Sequence, residues 1–211
     1  MSSALYIADL VGVAVFAVSG CLAAGRKHLD WVGAVALAVV TSIGGGTFRD
    51  ILLNRDTIFW VADPTVLWVI LGATACTILA TRFITPPMNT LLVADALGLA
   101  LFTIVGAQIA ENEGVAPMVV VVMGVLTGVT GGITRDVLTG EIPHIFRPTE
   151  PLYSVAAFTG ATGYMLLQAA GCPTKPAAFI GMALIAGLRL AAMRWHILLP
   201  AYRLPPTPPG H

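Results

Sequence analysis

Two short segments place charge where an apolar chain should have none. Gly44-Gly45-Gly46-Thr47-Phe48-Arg49-Asp50 closes a long apolar stretch, and Thr130-Gly131-Gly132-Ile133-Thr134-Arg135-Asp136 repeats it 86 positions later. Charge at membrane depth is costly and marks substrate or ion paths when it occurs. Glycine clusters weaken helices. Gly-broken segments at matching points of two halves point to a transport path. The chemistry implied is passage, not bond-making. His28, His144, His196 and His211 show no ligand spacing with Cys, Asp or Glu. No GxSxG, HExxH or phosphate loop occurs. The expectation is no catalysis, no cofactor and no resident metal.

The elements that must carry these segments are membrane helices. The 211 residues are 57% hydrophobic and 10% charged, with mean hydropathy +0.87. Soluble domains carry about 25% charge. Eleven basic residues balance eleven acidic ones, so nothing favours nucleic acid. The partners expected are membrane lipids. Cys21, Cys76 and Cys172 have no CxxC spacing and read as unpaired packing residues. Val18-Ser19-Gly20-Cys21 looks like a lipoprotein box, but no positive charge precedes it, so an uncleaved first span is expected.

A spanning helix needs about 20 apolar residues. Seven stretches qualify: Ala4–Ala24, Trp31–Leu53, Pro64–Thr81, Thr90–Ala110, Pro117–Leu138, Pro151–Ala170 and Pro176–Trp195. Trp31, Trp60, Trp68, Tyr6, Tyr153 and Trp195 fall near their ends, as an aromatic belt requires. The Pro-rich tail 204–211 reads as disordered, leaving one transmembrane domain over 1–203.

An ungapped offset of 86 pairs Asp9 with Asp95, Gly12 with Gly98, Phe16 with Phe102 and Gly20 with Gly106. It also pairs Thr41 with Thr127, Gly45-Gly46 with Gly131-Gly132, and Arg49-Asp50 with Arg135-Asp136. Ala62-Asp63-Pro64 resembles Thr149-Glu150-Pro151, shifted by one. The reading is an all-α membrane protein: two three-helix repeats, 4–81 and 90–170, plus a seventh helix at 176–195. An odd span count reverses the second unit, so the repeats are expected to be inverted. Arg26, Lys27, Arg82, Arg147, Arg194 and Arg203 then share one face, against Arg55 and Lys175 on the other. That bias puts the C-terminus in the cytoplasm and the N-terminus outside.

Each motif residue carries an expectation. Gly44, Gly45 and Gly46, and likewise Gly131 and Gly132, should kink or unwind their helices and free backbone carbonyls toward a partner helix or a watery path. Gly45→Leu should then fill the path while the protein still assembles. Arg49 would lie about 27 Å along a straight helix from Trp31, either anchored by snorkelling or standing beside the path. Asp50 and Asp136 point about 100° away from their arginines, so each is expected to pair elsewhere. Asp9 and Asp95 are helix-dipole partners or holders of the arginines. Thr41, Ser42 and Thr127 can bond to carbonyls one turn back or line a pore. Thr47 belongs to the same segment.

These motifs resemble a known family. GGGTFRD with ILL after it, FWVADP downstream, and GGITRDVLTGEIP are similar to bacterial trimeric intracellular cation (TRIC) channels. The resemblance covers Asp9 to Arg194. It implies a homotrimer with a potassium-permeable pore in each protomer, and kinks in the second and fifth spans at the glycines. Animal members bind a phosphoinositide through basic residues near the fourth span. Glu111 to Gly114 here contain none, so that property is not expected. The alternative left open is a secondary carrier of a small solute such as an amino acid.

Overall fold

The computed structural model describes residues 3–87, 89–147 and 152–198. Each apolar stretch folds as a helix, because a helix satisfies its backbone groups internally where water is absent. The helices are α1 (Ser3–Arg26), α2 (Trp31–Leu52), α3 (Phe59–Ala62), α4 (Thr65–Phe83), α5 (Thr90–Asn112), α6 (Pro117–Leu138), α7 (Tyr153–Ala169) and α8 (Thr174–Trp195). A 3-10 turn covers His144–Phe146, and no strand occurs among the described residues. Among the described residues, six helices are at least 18 residues long and apolar enough to cross a membrane. α7 has 17 residues. Pro151, Arg203, His211, the Thr149-Glu150-Pro151 match and the tail 204–211 lie outside the described residues.

Local signals set the boundaries. Asp30 caps α2, its carboxylate accepting from Gly33 N at 2.7 Å. Pro117 opens α6, where its missing N–H costs nothing. α1 and α2 are followed by left-handed residues, His28 (φ 54°) and Asn54 (φ 51°). Their counterparts 86 residues on, Gly114 (φ 72°) and Gly140 (φ 68°), follow α5 and α6 in the same conformation. The repeat is therefore written in the backbone as well as in the side chains.

α5 is the hub, buried along 72% of its apolar window, whereas α4 is buried along 22% and lies outermost. α1 packs on α5 through reciprocal pairs. A Cβ on Gly12 would stand 2.7 Å from the Phe102 ring, and one on Gly98 would stand 3.0 Å from Phe16. The two phenylalanine rings meet between them, 5.1 Å apart. Rising numbers in α1 meet falling numbers in α5, so the two helices cross antiparallel.

Three expectations are corrected. α2 and α6 are continuous α-helix through their glycines and do not unwind there, because the neighbouring helix fills the space that side chains would occupy. The short α3 sits between the second and third expected spans, where no helix was expected. Tyr153 is buried under Arg189, 4.6 Å from its ring, and does not sit in an aromatic belt. Trp31, Trp68 and Trp195 are exposed near helix ends as an aromatic belt requires. Cys21, Cys76 and Cys172 are free thiols.

Candidate ion path at the paired arginine motifs

α2 and α6 cross where the glycines lie. A Cβ on Gly45 would stand 2.0 Å from the Thr127 carbonyl oxygen, and one on Gly131 would stand 2.4 Å from that of Thr41. Here too rising numbers meet falling ones, so α2 and α6 run antiparallel, with Arg49 and Arg135 at opposite ends of the contact. Glycine at these positions permits backbone approach, as small residues do between membrane helices. Gly45→Leu therefore collides with backbone, which corrects the expectation of an assembled but plugged protein. Gly46 lies under the Phe59 ring, Gly132 lies against Asp95 Oδ1 and Tyr153 Oη, and Gly44 has ordinary room beside Thr134.

The threonine hydroxyls turn back on their own helices, and that of Ser42 also lies 3.0 Å from Val13 O on α1. Thr41 donates to Leu37 O at 2.6 Å, Thr127 to Met123 O at 2.6 Å, and Ser42 to Ala38 O at 2.8 Å. This is the carbonyl-bonding option of the two. Thr47 accepts from Trp60 Nε1 at 3.0 Å.

Both arginines are almost wholly buried, which excludes snorkelling. Each folds back onto its own aspartate, against expectation. Arg49 Nε donates to Asp50 Oδ1 at 2.8 Å, and Arg135 Nε to Asp136 Oδ1 at 2.9 Å. The 100° between adjacent helical positions is overcome by the length of the arginine chain, and burial removes the competing water. The second carboxylate oxygen pins the loop that follows. Asp50 Oδ2 accepts from Phe59 N at 2.8 Å, and Asp136 Oδ2 from His144 N at 2.9 Å.

Beyond this shared frame the copies differ. Arg135 Nη1 reaches Asp95 Oδ1 at 2.7 Å and Ser19 Oγ at 2.5 Å. Its Nη2 lies 3.0 Å from His144 Nδ1, which is 2.7 Å from Asp136 Oδ2. Asp95 thus holds an arginine and is no mere dipole partner. Arg49 Nη2 is 2.8 Å from the Asp50 oxygen that Nε already engages, without its N–H aimed there, and Nη1 has no hydrogen-bond partner. The Arg49 guanidinium sits 5.5 Å over Phe59. Asp9 is buried and makes no ion pair among the described residues.

Sequence reasoning missed Ser19, His144, Phe59 and Tyr153. The offset itself held a signal for Ser19, since its counterpart is Val105. His144 stood outside every ligand spacing because it acts as a loop residue held by Asp136.

Below the Arg135 end, a cavity of about 290 Å³ is lined by Arg26, Lys27, Asp136, Glu141, His144 and Arg147 among others. Lys27 bonds Glu141, and Arg147 Nη2 reaches the same carboxylate at 3.1 Å. The Lys27 hydrogen bond and charge hold the Glu141 carboxyl below its ordinary range.

A family model described as "Glycine transporter" matches residues 6–82 and again 92–169, starting 86 residues apart. The chain also superposes on the TRIC trimeric intracellular cation channel orthologue from Rhodobacter sphaeroides with TM-score 0.88 and 37% identity, covering 93% of this chain and 100% of that one. The chain belongs to this family as a bacterial TRIC member. A prokaryotic TRIC channel solved in 0.5 M KCl superposes with TM-score 0.85 at 28% identity, covering 93% and 98%. The UPF0126 inner membrane protein YadS of Escherichia coli K12 is 44% identical to this TRIC member over 207 residues, 95% of this chain and 97% of YadS. A UPF0126 membrane protein of Vibrio cholerae is 40% identical over 210 residues, 96% of this chain and 84% of that one. With its apolar helices, the TRIC member is a multi-pass inner-membrane protein.

Proposed function

We propose that the chain is a potassium-permeable cation channel, working as a homotrimer with one path per protomer at the crossing of α2 and α6. The observation that carries the reading is the reciprocal glycine contact between these helices, with a buried Arg–Asp cluster at each end. The likeness to solved TRIC channels supports it. The path is opened when α2 and α6 part or bend at Gly44–Gly46 and Gly131–Gly132. Cations are tolerated beside the arginines because Asp50, Asp136 and Asp95 offset the fixed positive charge. At 4 Å and an effective dielectric near 20, one such pair interacts by about 4 kcal/mol before desolvation. Re-pairing is therefore large enough to gate.

The architecture that suits this function is two inverted three-helix repeats plus a seventh span. α7 is counted as the sixth span and α8 as the seventh. The antiparallel α1–α5 and α2–α6 contacts support inversion. The N-terminus is assigned outside and the C-terminus to the cytoplasm, from the excess of Arg and Lys on one face.

A second reading has its own support. The matched family is described as a glycine transporter, and broken or closely packed repeat helices also serve carriers. Proteoliposomes separate the two. A channel gives potassium flux that grows linearly with gradient, whereas a carrier gives saturable glycine uptake. Absence of potassium flux from folded, reconstituted protein removes the channel reading.

A further inference from the structure

Four charged residues outside the arginine clusters obey the same offset with their signs exchanged. Lys27 and Glu113 are counterparts, and so are Arg55 and Glu141. Lys27 bonds Glu141, and Arg55 Nε lies 3.1 Å from Glu113 Oε1. Both pairs join repeat one to repeat two. Repeat one supplies both cations, and repeat two supplies both carboxylates. The sign is reversed at both partners at once, so attraction is kept. A chance surface pair has no reason to recur at the symmetry-related place.

The backbone presents each partner in the same way. Lys27 and Glu113 come just before the left-handed His28 and Gly114, and Arg55 and Glu141 come just after the left-handed Asn54 and Gly140. Arg55 N donates to Asp50 O at 3.0 Å, and Glu141 N to Asp136 O at 2.8 Å. This closure of a helix end fixes both residues to the motif aspartates. Lys27 and Glu141 wall the cavity below Arg135. Arg55 Nη1 donates to Asp50 Oδ1 at 3.3 Å, which joins the other pair to the Arg49 cluster. One pair ties the end of α6 to the end of α1, and the other ties the end of α2 to the end of α5.

We propose that Lys27–Glu141 and Arg55–Glu113 are two end latches, one charge-exchanged device that closes the path from both faces, and that this structure holds both shut. The inference rests on the reading of α2 and α6 as an ion path. Neither helix can leave its neighbour at that end without breaking a latch. The strength suits a gate. The four side chains are 30–44% exposed, and such a pair shifts an equilibrium by about 5-fold at most. A tie of that size favours the closed state and still yields to thermal motion. Two independent latches in series multiply, to about 25-fold.

The test uses full-length protein with Cys21, Cys76 and Cys172 replaced and one reporter cysteine behind each latch. Thr139→Cys reports on the cavity. Its counterpart Leu53→Cys, half-buried beside Arg55, reports on the other end. Maleimide labelling in detergent and potassium flux in vesicles are read from the same preparations. Lys27→Glu speeds labelling at Thr139→Cys by about 5-fold, and adding Glu141→Lys returns it toward the starting rate. Glu113→Lys, which sets two cations face to face, does the same at Leu53→Cys. Flux rises with each reversal, and Lys27→Glu with Glu113→Lys together raise it by about the product of the two. Unchanged labelling in folded Lys27→Glu overturns the latches. So does a rise that Glu141→Lys leaves in place, since that marks loosened structure. Labelling that follows the latches while a conducting protein keeps its flux overturns the gate and leaves the channel reading. A silent wild type whose labelling follows the latches upholds them as closures and removes the channel reading.

Discussion

Gly45 meets the backbone of Thr127 so closely that a single added carbon would stand 2.0 Å from its carbonyl oxygen. That contact, with its counterpart at Gly131 and Thr41, sets the distance between the two helices that carry the arginines. Gly45→Ala must push α2 and α6 apart. Overpacking of this kind costs about 1–3 kcal/mol. Gly44→Ala, whose Cβ would stand 3.4 Å from Thr134 Oγ1, is close to neutral. Thermal unfolding of both variants in detergent checks this. Equal melting temperatures would mean that the crossing is loose.

The two arginines are predicted to differ in kind. Arg135→Gln strips Asp95 of its buried partner, a loss of about 3–5 kcal/mol. It should reduce folded yield sharply. Arg49→Gln removes a guanidinium with two nitrogens that lack a hydrogen-bond partner and should spare folding while altering flux. Size-exclusion profiles and flux from the same preparations test the pair. The account fails if Arg49→Gln is the less stable of the two.

The spacing of glycines and charges made the repeat legible, because a repeat copies residue types at fixed separation. α6 begins and ends where Pro117 and Leu138 suggest. The state of each copy was not legible. Helical angles alone send Asp50 away from Arg49, since they ignore the reach of a long side chain when water is excluded. Phe59 and His144 joined the clusters through backbone N–H groups donated to Asp50 and Asp136, and a backbone donor leaves no mark on residue type. α3 was hidden because four residues show no helical period.

The loop after α6 is fastened by Lys27, Glu141 and Arg147. Glu141 has its pKa lowered from 4.5, first by the Lys27 hydrogen bond. A depressed folded-state pKa means that the fastening is fully present above the ordinary glutamate value. It is lost as pH falls below 4.5 through the lowered one. Protection of the 139–147 amides, measured relative to their intrinsic exchange at each pH, should be high at neutral pH and fall in that acid window. Glu141→Gln should show low protection at every pH. A wild-type loop indifferent to acid would contradict this.

Lys27 and Arg55 flank α2, one apolar helix long enough to cross the membrane, and the proposed orientation puts Arg55 outside and Lys27 in the cytoplasm. In a background with Cys21, Cys76 and Cys172 replaced, a membrane-impermeant maleimide added to whole cells should label Arg55→Cys and miss Lys27→Cys. Labelling of both, or of Lys27→Cys alone, would overturn the assigned orientation.

The central claim is that this TRIC member conducts cations. Planar-bilayer recording of the purified wild-type protein in potassium chloride tests it most directly. The account predicts unitary currents whose reversal potential follows the potassium gradient. A silent bilayer, from a preparation that takes up glycine saturably in vesicles, would contradict it.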